Sequence, residues 1–270
     1  MRSLKFSKMV ATGNDFVVID NRLNRLSRVP DLARRLCDRK LGIGADGLLL
    51  VEKSKMADFK MRILNPDGSE PEMCGNGSRC IALFAREKGV VRSSSMSIET
   101  KAGLLKAKVK GSLVSIKMTD PTDIKPGLNI EIGRDAYQLH FINTGVPHAV
   151  FFVRNLEMFD VDKIGSAIRY HKAFRPDGTN ADFIKVKSKG SIWMRTYERG
   201  VEAETLACGT GAVASAIIAG IINGFGSPVK VYTKGGLLNI YFKKNKGVFR
   251  DVLLEGEAKE VFAGTAGLEV

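Results

Sequence analysis

The segment Cys74-Gly75-Asn76-Gly77 recurs as Cys208-Gly209-Thr210-Gly211, 134 positions later in a chain of 270 residues. Each copy follows an acidic stretch and opens an apolar run. The repeat does not stand alone. Thr12-Gly13 returns as Thr144-Gly145, Met61-Arg62 as Met194-Arg195, and Thr100-Lys101-Ala102-Gly103-Leu104-Leu105 as Thr233-Lys234-Gly235-Gly236-Leu237-Leu238. Glu70 and Glu204 each precede a cysteine by four residues. Matches that keep one order and one spacing mark an internal duplication. The period is far too long for a solenoid, so it predicts two related domains. Residues 1–120 carry the first cysteine motif and residues 121–270 the second, with the last strands free to return to the first domain.

Composition narrows the class. Hydrophobic residues make up 44% of the chain, enough for packed cores, and no apolar run approaches the ~20 residues of a membrane span. Residues 1–10 alternate polar and apolar and read as a strand, without the apolar core of a signal peptide; a cytoplasmic protein is expected. Four cysteines (Cys37, Cys74, Cys80, Cys208) and three histidines (His140, His148, His171) form no Cys-x-x-Cys pair, so no metal site and no cofactor are expected. The net charge of +13 comes from dispersed lysines and arginines, with only modest clusters such as Lys243-Lys244-Asn245-Lys246. That distribution reads as a solvated surface that steers anions, with no nucleic-acid and no membrane partner.

Strand-like runs dominate, at residues 4–10, 16–20, 48–52, 58–64, 96–100, 104–110 and 114–118 in the first half. The second half repeats the order, with strands near 137–142, 149–153, 183–186 and 191–197. Helices are predicted over 30–39, 76–88, 161–171 and 209–222, with Pro30 in a first turn and Gly89 and Asn223-Gly224 as stops. Residues 120–127 read as a linker. The helix after Cys208 is Ala, Ile and Val nearly all round, which predicts burial.

A cysteine at a helix N-terminus meets free backbone N–H groups and the positive end of the helix dipole. Both favour the thiolate over the thiol. The adjoining glycines let a ligand approach the backbone, and the same N–H groups can hold a carboxylate. Two such units clamping one carboxylate set a sulfur on each side of its α-carbon. A thiolate on one face and a thiol on the other then suit racemisation or epimerisation, with the helix amides stabilising the carbanion-like charge. Cys37 and Cys80 fall inside helices and read as inert core residues.

At these residues the chain resembles the diaminopimelate epimerases. The matching segments are Gly13-Asn14-Asp15-Phe16, Asn65-Pro66-Asp67-Gly68-Ser69-Glu70, Met73-Cys74-Gly75-Asn76-Gly77-Ser78-Arg79-Cys80, Pro147-His148, Thr179-Asn180, Tyr197-Glu198-Arg199-Gly200, Glu204-Thr205 and Ala207-Cys208-Gly209-Thr210-Gly211. The resemblance implies a mixed α/β (α+β) fold of two pseudo-symmetric domains, each a mostly antiparallel sheet curled around a central helix. It implies cofactor-independent epimerisation of LL- to meso-diaminopimelate by a homodimer, with Cys74 and Cys208 as the acid–base pair. His148 and Glu198 would tune their protonation, Glu198 also touching substrate. Asn14, Asn65, Asn180 and Arg199 would bind substrate, and Gly75, Asn76, Gly209 and Thr210 would hold the reacting carboxylate. Arg199 suits the distal carboxylate, since a guanidinium can bind one bidentately.

Two positions depart from the family pattern: Gly47 where Gln is common, and Val146 where Asn precedes the Pro-His pair. Both concern the distal end of the substrate and leave the cysteine chemistry intact. They keep open a proline- or hydroxyproline-type racemase. A non-catalytic binding protein on the same scaffold is a further alternative.

Overall fold

The computed structural model describes residues 2–268. The chain forms two compact units: one runs up to Ile116 and includes the segment from Gly256 onward, and the other is Lys117–Glu255.

In the first unit, β1 (Arg2–Ala11) pairs antiparallel with β17 (Lys259–Leu268) on one side and with β2 (Asn14–Asp20) on the other. Helix α1 (Val29–Cys37) carries the chain to β3 (Gly47–Glu52), parallel to β2. β3 turns back into antiparallel β4 (Phe59–Leu64). Helix α2 (Gly75–Glu87) then crosses to β5 (Ser95–Thr100), parallel to β4. β6 (Gly103–Lys110) and β7 (Leu113–Lys117) follow as antiparallel neighbours.

The second unit repeats this order. After β8 (Thr122–Ile132), β9 (Asp135–Asn143) and β10 (Pro147–Phe152) form the hairpin. Helix α3 (Val161–Arg169) crosses to parallel β11 (Asn180–Ser188), which turns into antiparallel β12 (Ser191–Glu198). A short strand, β13 (Ala203–Thr205), folds back on β12 before helix α4 (Gly209–Ile222) crosses to parallel β14 (Val229–Thr233). β15 (Gly236–Asn245) pairs antiparallel with β14, and a turn at Lys246-Gly247 leads into β16 (Val248–Glu257). The duplication seen as spacing is therefore a duplicated topology. Two parallel crossovers per unit sit within otherwise antiparallel sheets, each made by one helix.

The two helices of a unit lie on opposite sheet faces, and strand periodicity explains why. In β3, Gly-Leu-Leu-Leu-Val are all buried. Leu48 and Leu50 pack with Val29, Leu32, Ala33 and Leu36 of α1, while Leu49 meets Gly77 of α2. Successive side chains point to opposite faces, so a strand covered on both reads as an unbroken apolar run. α2 packs against β1, β2, β3, β4, β6 and β17, and α4 against β9, β10, β11, β12, β14 and β15. Every residue of α4 from Gly211 to Gly220 is buried.

One expectation fails. Residues 120–127 are not a linker: most of that segment is β8, hydrogen-bonded to β9. The punctuating residues that suggested a linker lie where the ladder register breaks, between Thr122 and Lys125 and between Lys125 and Leu128. Asp123 and Gly127 have positive φ there (49° and 77°), and a bulge needs no ladder hydrogen bond from Pro126. β13 was also invisible as pattern, being three residues long.

Close helix–strand approach depends on Gly165 in α3: a Cβ there would lie 2.5 Å from Cβ of Tyr197 on β12. Gly165→Ala is expected to destabilise the fold by about 1–3 kcal/mol in urea denaturation. Gly226→Ala, where nothing stands within 4 Å of an added Cβ, is expected to change it by less than about 0.5 kcal/mol.

Candidate active site

Each cysteine is the N-cap of the helix buried in its unit. Cys74 has extended backbone (φ −140°, ψ 121°) and is half-buried, and its Sγ accepts from the Gly77 N–H at 3.4 Å. Cys208 is also extended (φ −110°, ψ 119°) and is buried. Its Sγ lies 3.4 Å from Oγ1 of Thr210. In both units the hairpin-turn threonine reaches the residue two after the cysteine. Thr12 Oγ1 donates to Asn76 Oδ1 at 2.9 Å, and Thr144 Oγ1 donates to the Thr210 carbonyl at 3.1 Å.

A second repeated device holds the loop before each cysteine. Arg62 on β4 donates through Nε and Nη2 to the two oxygens of Glu70 at 3.0 and 3.2 Å. Lys101 reaches the same carboxylate at 3.3 Å. In the second unit Arg195 on β12 donates through Nε and Nη2 to Glu204 at 2.6 and 2.7 Å, and Lys234 lies 2.8 Å away. Bidentate pairs of this kind fix orientation as well as adding energy.

In the first unit, Asn76 is buried and receives a second bond from Arg79 Nη2 at 2.6 Å. Asn14 opens β2 just beyond the Thr12-Gly13 turn, whose φ values are 46° and 81°. Its Oδ1 is buried without a hydrogen-bond partner, an acceptor held ready for a donor. Asn65 follows β4 and serves its own turn, donating from Nδ2 to Ser69 Oγ at 2.9 Å. Gly47 stands against Phe16: a Cβ would lie 3.0 Å from the Leu64 carbonyl and 3.2 Å from the Phe16 ring. A longer side chain there would displace that ring.

In the second unit, His148 on β10 is fully buried, with Nδ1 2.7 Å from Asp182 Oδ2 and Nε2 unpartnered. Asp182 on β11 also accepts from Thr196 Oγ1 at 2.7 Å. A Cβ on Gly211 would come within 2.4 Å of Asp182 Oδ1. The Gly-x-Gly pattern of this helix thus makes room for a carboxylate beside the helix end. Glu198, at the end of β12, accepts a short hydrogen bond from Thr205 Oγ1. Burial pushes its carboxyl up from the usual carboxylate range, opposed by the Thr205 and Cys208 hydrogen bonds. Asn180 is turned to its own backbone, donating to the Pro147 carbonyl at 3.0 Å and accepting from the Arg199 N–H at 2.8 Å. It thereby ties His148's neighbour to Arg199. The Arg199 guanidinium donates to the Asp177 carbonyl at 3.3 Å, and among the described residues no carboxylate lies within 4 Å of it.

Sequence reasoning passed over Asp182, Thr12 and Arg79. Two of them interrupt an apolar pattern in a buried element, Asp182 in β11 and Arg79 in α2, whereas Thr12 lies in the β1–β2 turn. A polar residue out of phase in a buried element was the available signal. The expected acidity of the helix-capping cysteines also needs correction for Cys208. Burial first, then the charges of Glu198 and Asp182, push its thiol well up, against the Thr210 hydroxyl and the Gly211 amide. Desolvation and two carboxylates outweigh one helix end. Burial likewise pushes Cys37 up to about 11 and raises Cys80 further, as inert core thiols require.

Among the described residues no three His, Cys, Asp or Glu side chains converge as a metal site. A surface hollow of about 1000 Å³ in the first unit is lined by Ser3, Phe6, Ile19, Asn21, Phe84 and Gly264 and contains none of the residues above. Convergent polar groups, rather than empty volume, locate the chemistry.

Comparison with known proteins shows the family and the fold. The family model described as "Diaminopimelate epimerase" matches residues 6–124 and 140–260. The diaminopimelate epimerase of Aquifex aeolicus is 42% identical, covering 99% of this chain and 99% of its own. That of Methanocella arvoryzae is 41% identical over 98% of this chain and 97% of its own. Among solved structures, a PhzF-family phenazine biosynthesis protein of Bacillus anthracis superimposes with a TM-score of 0.77 at 18% identity, covering 99% and 100% of the two chains. A probable proline racemase of Agrobacterium radiobacter K84 gives 0.72 at 15% identity, covering 98% and 93%. These last two share the fold.

If burial and the two carboxylates govern Cys208, its reaction with iodoacetamide in the Cys74→Ala protein is expected to be slow at pH 7. It should rise about tenfold per pH unit with no plateau below about pH 9, followed by peptide mass mapping. A plateau near pH 7 would show that the helix end wins.

Proposed function

The chain belongs to the diaminopimelate epimerase family, and from that premise we propose that it interconverts LL- and meso-diaminopimelate without a cofactor, using Cys74 and Cys208 as acid and base. The observation that carries the assignment is the repeated one. In each unit a cysteine caps the first turn of a buried helix, beside Gly-x-Gly. One sulfur, as thiolate, takes the α-proton; the other, as thiol, returns a proton to the opposite face. The electron pair left at the α-carbon delocalises onto its carboxylate. Amides of Gly75, Asn76, Gly209 and Thr210 are the donors assigned to that oxygen charge, and fixed donors of this kind act without reorganising as charge develops.

The remaining residues divide between proton control and recognition. The raised Cys208 thiol suits a proton donor. Glu198 and the His148–Asp182 pair are its tuning groups, and the buried Nε2 of His148 has no hydrogen-bond partner of its own. Diaminopimelate carries a second amino-acid end that is not inverted. Arg199, with no carboxylate of its own, suits the distal carboxylate, and Asn14 offers its buried Oδ1 to the distal ammonium. Asn65 and Asn180 act chiefly by holding the Ser69 turn and the Arg199 backbone. A cytoplasmic homodimer is the proposed state, and sedimentation velocity checks the dimer.

The decisive measurement incubates reduced protein with LL-diaminopimelate in deuterium oxide. Meso product with one α-deuterium is expected, and Cys74→Ala or Cys208→Ala should each lower turnover by about 10³-fold or more. No product and no exchange would remove the assignment. Arg199→Met is expected to raise KM by about 10- to 100-fold, the worth of a charge-assisted hydrogen bond, with a smaller effect on kcat. An unchanged KM would release Arg199 from the distal end.

A further inference from the structure

Arg79 is the largest fully buried side chain in the protein, with no exposed surface among the described residues. It lies in the second turn of α2, five residues after Cys74. Its Nη2 donates to Thr12 Oγ1 at 2.7 Å and to Asn76 Oδ1 at 2.6 Å, and Nη1 reaches the Gly75 carbonyl at 3.4 Å. Nε has no partner. All these acceptors are neutral, and among the described residues no carboxylate stands within 4 Å of the guanidinium. An arginine stays charged even when buried, and a buried charge is costly unless an opposite charge compensates it.

The other buried or half-buried charges on strands packed against α2 are already matched. Lys8 on β1 pairs with Asp15 on β2 at 2.6 Å, Arg62 on β4 with Glu70 and with Glu52 of β3, and Glu260 on β17 with Lys88 at 2.7 Å. The lysines of β6 are exposed. The ionisable groups whose charge bears on the guanidinium are the thiols of Cys80 and, second, Cys74. Cys80 is fully buried and held as a thiol by desolvation. Cys74 is half-buried, and its capping loop is what Arg79 grips through Gly75 and Asn76.

We propose that Arg79 is a positioning residue whose buried guanidinium is the counter-charge for an anionic Cys74 sulfur, making Cys74 the resting thiolate. The inference rests on Cys74 being one of the acid–base pair and adds the group that selects its proton state. The second unit lacks the feature: Val213, apolar and buried, takes the place of Arg79 in α4, and Cys208 instead faces Glu198 and Asp182. The first turn that Cys74 caps is thus gripped by a buried positive charge that the turn capped by Cys208 lacks. A single proton on the pair is then assigned to Cys208 before substrate arrives.

The test uses iodoacetamide and thiolate absorbance near 240 nm in the Cys208→Ala protein, with no amino-acid substrate, so it is independent of whether diaminopimelate is turned over. Cys74 is expected to titrate below the ordinary thiol value of about 8.5. Arg79→Met should move that midpoint up by about one pH unit or more and slow alkylation at neutral pH about tenfold. Circular dichroism and thermal unfolding confirm that each variant is folded. A folded Arg79→Met protein with the parent's titration overturns the proposal. So does a raised KM with unchanged titration, which would give the charge to a substrate carboxylate. Should Arg79→Met not fold, a Cys74 midpoint at or above about 8.5 in the Cys208→Ala protein overturns it equally.

Discussion

The whole arrangement depends on burying the N-terminal end of a helix. α2 and α4 are enclosed by their own sheets, so the backbone N–H groups of their first turns are largely removed from water. Such groups need a partner, because an unpaired buried donor costs about 1–3 kcal/mol. Cysteine at the N-cap supplies a soft acceptor that can also carry charge. Gly77 and Gly211 let Leu49 and Asp182 come up against the helix start. The requirements of packing and, under the proposed function, those of proton transfer thus fall on the same short segment in both units.

Much of the fold was legible for the same reason. α4 is apolar on every side, and only an enclosed helix can be; its sequence limits at Gly209 and Ile222 coincide with its structural ones. The crossover strands β3 and β11 read as short apolar runs between glycine-rich turns. What escaped was whatever tertiary contact decides. β8 hid behind Pro126, Gly127 and Asp123, because local sequence cannot distinguish a bulged strand from a connection. β13 is too short to have a period. The cysteines were visible from motif and spacing; His148 and Arg199 were visible only through the family resemblance. The partners that set their state were not: Asp182 is joined to His148 only through the parallel register of β10 and β11, and Arg79 to Thr12 only through the packing of α2 on the β1–β2 turn.

The duplication has been kept and broken in different places. The Arg–Glu–Lys clusters, the hairpin threonines and the capping cysteines persist in both units. The residues that set local charge do not. Asn65 occupies in the first unit the strand-end place that Glu198 holds in the second, and Arg79 is replaced by Val213. Backbone-positioning residues stayed symmetric, while the charged residues near the two capping cysteines did not.

The Arg–Glu–Lys clusters have a mechanical consequence. Glu70 lies on a loop and Glu204 in the three-residue β13, and each is pinned by an arginine from a strand interior and a lysine from the turn beyond the next strand. A loop tethered at two such points gives up its own softness and moves with the sheet. The tolerance with which each sulfur is held is therefore that of two hydrogen-bonded strands, and slack introduced at the remote β5–β6 or β14–β15 turn is transmitted through a single carboxylate to the reactive end of the helix.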